Sequence, residues 1–112
     1  MKLSQERLEN GVMKIELHGA LDIAGAAEAD TPFRSASERE RRLVVDLSGV
    51  DFLASIGIRV LVKSAKAIAQ RGGRMAVYGA QETPRKVLES TGVQGLINLV
   101  DDESAAIASV TR

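Results

Sequence analysis

At 112 residues the chain can bury one hydrophobic core and not two, and its 45% hydrophobic and 27% charged content is that of a soluble globular domain. The 15 basic side chains cancel the 15 acidic ones and the only aromatics are Phe33, Phe52 and Tyr78, which excludes the electrostatic field and stacking surface of a nucleic-acid binder. Cysteine is absent, which excludes disulfides and thiolate chemistry.

The first stretch, MKLSQERLENG, lacks the apolar block of a signal peptide, and no apolar run reaches membrane-spanning length. A cytoplasmic protein without membrane insertion is expected. KLSQERLE reads as a polar edge strand, and Asn10-Gly11 as a hairpin turn. VMKIELHG alternates, with Met13, Ile15 and Leu17 on one face and Lys14, Glu16 and His18 on the other: a half-buried strand. The alanine-rich ALDIAGAAEADTPFRSASERE predicts a helix that Pro32 should break or kink, followed by the solvated, mixed-charge ERERR.

RLVVDLSGV is the β-branched run of a buried strand. Ser55 to Gln70 predicts the clearest helix, stopped by RGG, and RMAVYG is another strand. In TPRKVLESTG, Thr83 is the expected N-cap, Pro84 the first helical residue and Gly92 the stop. LINLV is a last strand and DDESAAIASV a last helix, with acidic residues in its first turn where the dipole favours them. The order β-β-α-β-α-β-α-β-α predicts one α/β domain over 1–112, its sheet largely parallel with an antiparallel hairpin at the start.

The helix after Ser55 has three faces at about 100° per residue. Ile58, Leu61, Val62, Ala65, Ile68 and Ala69 form a core stripe, while Arg59, Lys63, Lys66 and Gln70 face solvent. The third arc, Ile56, Val60, Ser64 and Ala67, is uncharged. Either a neighbouring element covers it, or it is an exposed apolar strip for a protein partner.

Ser55 stands where strand and loop give way to helix, and four roles suit a hydroxyl there: cap, nucleophile, phosphate binder or phosphate acceptor. As an N-cap it would stabilise the helix by about 1 kcal/mol, although Ile58 occupies the position of a capping-box glutamate. A nucleophile needs a base, and the only histidine, His18, lies on the polar side of a strand. ASIG lacks the Gly-x-Ser-x-Gly elbow of hydrolases. No phosphate-loop or dinucleotide fingerprint occurs, and one histidine among scattered carboxylates gives no metal site. Neither an enzyme nor a cofactor is expected. Phosphorylation, by contrast, is physically coherent, since a phosphoryl group at a helix N-terminus meets free N–H groups and the positive end of the dipole. Its effect would fall on a partner: a partner carboxylate at about 4 Å is repelled by about 4 kcal/mol per charge pair at an effective dielectric near 20.

HGALD (His18 to Asp22), LVVDLSGVDFLASIGIRVLVKSAK (Leu43 to Lys66), RGGRMAVYG (Arg71 to Gly79) and VLESTGVQGLINLV (Val87 to Val100) together resemble the STAS domains, named for sulfate transporters and anti-sigma factor antagonists. The resemblance implies a mixed sheet of four to five strands with helices mostly on one face. It also implies an anti-sigma factor antagonist with Ser55 as phosphoacceptor. The partner would be an anti-sigma factor that is also a serine kinase of the histidine-kinase-like ATPase type, with a phosphatase as a possible further partner. Unphosphorylated protein binds that kinase, and phosphorylation releases it. Asp22, in the family's Gly-x-Leu-Asp turn, would lie near Ser55 and shape the acceptor surface or hydrogen-bond its hydroxyl. Ile56, Arg59, Val60, Lys63, Ser64 and Ala67 are the expected partner contacts. Ala54 and Ile56 depart from the family's Asp-Ser-Ser/Thr-Gly around the acceptor, whereas Ser55 and Gly57 keep it. The bare backbone of Gly57 suits either close approach of a partner or a tight helix start. Two other functions follow from the same residues. The Ala54 and Ile56 substitutions favour a constitutive adaptor, a subunit of a transport ATPase or signalling scaffold. The least favoured is an enzyme using Ser55, His18 and an acid.

Overall fold

A computed structural model describes the backbone of residues 1–112 and every side chain but that of Gln94. The elements are β1 (Lys2–Arg7), β2 (Met13–Leu21), α1 (Ile23–Arg39), β3 (Arg42–Leu53), α2 (Ser55–Gln70), β4 (Arg74–Tyr78), α3 (Glu82–Ser90), a 3₁₀ turn (Val93–Gly95), β5 (Asn98–Val100) and α4 (Glu103–Thr111). The five strands pair in sequence order; β1 is antiparallel to β2, and all the remaining pairs are parallel. This is the α/β architecture that the alternation of elements predicts.

Both faces of the sheet are covered, which explains the unbroken apolar run in β3. Leu43, Val45 and Leu47 pack with Ile15, Leu17, Met75 and Val77 against Phe33 of α1, Leu61 and Ile68 of α2 and Leu88 of α3. Val44, on the other face, joins Val12, Ala76 and Tyr78 beneath Ala106 and Val110 of α4. Three helices therefore lie on one side and one on the other. Lys14 and the Tyr78 hydroxyl both reach Glu103 in the first turn of α4, at 2.7 and 2.8 Å.

Two helix ends depart from their sequence-based placement. α1 runs through Pro32 without interruption. The carbonyl that loses its donor is that of Glu28, on an exposed turn where water can replace the missing bond. α3 starts at Glu82 with Gln81 as N-cap, so Thr83 and Pro84 fall inside the first turn; the backbone of Gln81 is already extended, and its carbonyl accepts from Arg85 at 2.8 Å.

The RGG stop behaves as expected. Gly72 adopts φ +81°, a conformation that glycine enters without steric cost. Arg71, just before it, donates to the Ser37 and Glu40 carbonyls at 2.5 Å and so satisfies the open end of α1. No described helix is long and apolar enough to cross a membrane.

Candidate functional site

β2 and β3 end together, Leu21 opposite Leu53, and each passes directly into a helix. Neighbouring strands lie about 4.8 Å apart, so the N-termini of α1 and α2 emerge side by side. They do so at the carboxyl end of parallel strands, the edge at which open α/β sheets hold their ligands. Asp22 caps α1, its Oδ1 accepting the Gly25 N–H at 2.8 Å. Ala54 caps α2: its N–H donates to the Leu21 carbonyl at 3.0 Å, and its own carbonyl accepts from Gly57 and Ile58 at 2.9 and 3.1 Å.

The link to β2 holds Ala54 in extended backbone, and α2 begins one residue earlier than a capping serine requires. Ser55 is the first helical residue and not the N-cap. It is exposed, and its hydroxyl makes no hydrogen bond among the described residues. Asp22 lies on the adjoining turn, but its carboxylate bonds the α1 amide and not the Ser55 hydroxyl. The Asp22–Ser55 bond is one of two roles expected of that acid, and the structure does not contain it.

Gly57 is buried against the end of β2. A Cβ built there would lie 2.6 Å from Leu21 Cγ and 2.8 Å from its carbonyl oxygen. The bare backbone is therefore used inside the molecule, and of the two readings of Gly57 the tight helix start is the one realised.

The arcs of α2 fall largely as expected. Ile58, Leu61, Ala65 and Ile68 are buried and Val62 half-buried, while Arg59, Lys63, Lys66 and Gln70 are exposed. Ala69, expected in the core, is exposed and borders a hollow with Leu96. β5 reaches only as far as Ala76 on β4 and leaves that end of the helix uncovered. The third arc faces α1, which roofs it only in part. Ile56, Val60 and Ala67 are half-buried, whereas Ser64 is 4% exposed and faces a cleft between the two helices, off the open surface. Toward Ser55 the arc opens into a shallow dish lined by Ile23, Ala26, Ala27, Asp30, Ile56 and Val60.

Two rim residues escaped the sequence reading. Ile23, at the first position of α1, is 79% exposed, and Phe52, three residues before Ser55, is 53% exposed. Ile23 stands three residues from buried Ala26 and so falls in phase with the core stripe; only its place on the rim exposes it. Phe52 points away from buried Leu53, to the sheet face where α4 leaves the end of β3 bare. Arg59 and Lys63 add positive charge with no ion-pair partner among the described residues. The site is thus a free hydroxyl at the positive end of a helix, flanked by exposed apolar side chains and unpaired cations. His18 projects from the opposite sheet face over Gly49 and hydrogen-bonds Glu16 at 2.9 Å. It supplies no base to Ser55.

The sequence model of the STAS domain matches residues 5–106. The chain is 32% identical over 102 residues to the anti-sigma-F factor antagonist RsfB of Mycobacterium tuberculosis, covering 90% of this chain and 83% of that protein. An anti-sigma factor antagonist from Mycobacterium paratuberculosis superposes with a TM-score of 0.87 at 23% identity, covering 99% and 94% of the two chains. The Bacillus cell fate determinant SpoIIAA, solved in its phosphorylated form, superposes with a TM-score of 0.73 at 18% identity over 93% and 96%. At those identities the structural likenesses speak for the fold.

Proposed function

The chain belongs to the STAS domain family, and on that premise we propose that it is an anti-sigma factor antagonist, a binding protein and not an enzyme, switched by phosphorylation of Ser55. The observation that carries the reading is the exposed hydroxyl of Ser55 on the first turn of α2, bound to nothing among the described residues. The partner is an anti-sigma factor with serine kinase activity of the histidine-kinase-like ATPase type, and a phosphatase restores the serine. The partner grips Ile56, Arg59, Val60 and Lys63, with Ala67 at the far end of the arc and Ser64 acting from beneath. Ile23 and Phe52 extend the same apolar rim. Asp22, Ala54 and Gly57 shape the acceptor turn from behind. A phosphoryl group on Ser55 is held by free amides of the first turn, so the fold is unaffected. The two negative charges repel a carboxylate of the partner, and binding is lost.

Mass spectrometry of Ser55 after incubation with the cognate kinase and ATP tests the switch. Stoichiometric modification at Ser55, with release of the complex, is expected. An unmodified Ser55 together with unchanged partner binding by Ser55→Asp overturns it. Ala54 and Ile56, which remove the family's acid and second hydroxyl beside the acceptor, favour a second reading: a constitutive adaptor of a transport ATPase or scaffold. Co-purification with such a subunit in place of a kinase decides for that reading.

A further inference from the structure

The cleft between α1 and α2 points to a use beyond the rim at Ser55. It holds about 200 Å³ and is open on one side; Phe33, Val60 and Ala67 form its apolar walls, and charged side chains of both helices line the rest. Inside it stands the Ser64 hydroxyl, on a residue only 4% exposed. Three serines are buried among the described residues. Ser37 and Ser109 donate to the carbonyls three residues back, at 2.8 and 2.9 Å. Ser64 makes no hydrogen bond among the described residues. Its Oγ is open to the cleft and not sealed in, since the one buried side-chain polar atom without a partner among the described residues is Arg71 Nε. A hydroxyl that no protein group occupies is therefore available to an occupant of the cleft.

We propose that this cleft is a binding site for a small neutral molecule with an apolar body and one hydrogen-bonding head, seated with the head on Ser64 Oγ. The size fits, since an apolar cavity of about 150 Å³ already takes up a benzene ring. The charge also fits. Asp30 is ion-paired with Arg34 at the mouth, and Glu38 and Lys63 leave the rim without net charge. An ionic ligand would therefore gain little there, while a single polar group finds its partner at the floor. The same cleft shares Val60 and Asp30 with the dish beside Ser55, so an occupant touches the helix that carries the acceptor.

Phenol and toluene, alike in size and differing by one hydroxyl, are the probes. Backbone amide NMR titration of the full chain should give saturable shifts with phenol, confined to α1 and α2 around Phe33, Ser64 and Ala67. Ser64→Ala should weaken phenol by about fivefold to tenfold and leave toluene unchanged. Ala67→Leu, which fills the cleft from its partly open side, should abolish binding of both without loss of the folded spectrum. Shifts that never saturate, or equal phenol affinity in the wild type and Ser64→Ala, overturn the proposal. Partner binding by an unliganded protein is unaffected by either result, so this site and the Ser55 switch fail independently.

Discussion

Ile23 carries more apolar surface into solvent than any other large hydrophobic side chain described, and exposed aromatic or aliphatic residues near a functional group are the usual anchors of a protein interface. Ile23→Glu and Phe52→Glu should each weaken partner binding by at least about tenfold. Each should move the melting temperature by less than about 2 °C, since neither side chain is in the core. Calorimetric titration and thermal melts check both; a large fall in melting temperature would place these residues in the core. Gly57 behaves in the opposite way. Alanine is the better helix former by about 1 kcal/mol, yet here its methyl collides with Leu21. Gly57→Ala should therefore lower the melting temperature by about 5–15 °C, and a more stable variant would contradict the packing. Ser55, Asp22 and Gly57 were legible in the sequence as a cluster, because turn chemistry is local. Their exact duties were not, because the bond from Ala54 to Leu21 that fixes them joins residues 33 positions apart in the chain.

α4 covers one face of the sheet alone, and its first turn is held by an ionic contact. The Lys14 ammonium and then the Tyr78 hydroxyl hold the Glu103 carboxyl below the usual carboxylate range. Lys14 is raised in turn, chiefly by its bond to Glu103, while burial and then Glu103 push the Tyr78 phenol upward. A lowered carboxyl contributes stability above its ordinary pKa of about 4.3 and loses it as the pH falls through the lower folded value. A raised ammonium contributes below its ordinary value of about 10.4 and loses it as the pH rises through the higher folded one. The contact should therefore act fully between about pH 5 and about pH 10. Urea denaturation of wild type and Glu103→Gln should show a stability gap at neutral pH that closes below about pH 4. A gap that persists unchanged at pH 3 would place the anchor elsewhere. α4 itself was legible from its acidic first turn, whereas its partner was not: nothing in the alternation of β2 marks Lys14 as lying beneath a helix. Pro32 was misjudged for a related reason, since the cost of a helical proline depends on whether its orphaned carbonyl meets water.

At the scale of the molecule, the alternation of strand and helix patterns was enough to give the fold. A parallel pair needs a crossover, and each crossover here is a helix, α2 and α3 with glycine stop signals just past their ends. Less legible was the partial cover that α1 gives the third arc of α2. How closely two helices approach is set by the small residues on both, Ala26, Ala29 and Ala65 among them. That approach turns a continuous strip into a dish at Ser55 and a cleft at Ser64. The account as a whole rests on the dish being a protein-binding surface that a phosphate on the neighbouring hydroxyl shuts off. Its most direct test is the affinity of the cognate anti-sigma factor for the protein before and after phosphorylation of Ser55, with Ser55→Ala as the unmodifiable control. The account expects tight binding of the unmodified and Ser55→Ala proteins and a loss of at least about a hundredfold on phosphorylation; equal affinities for all three would contradict it.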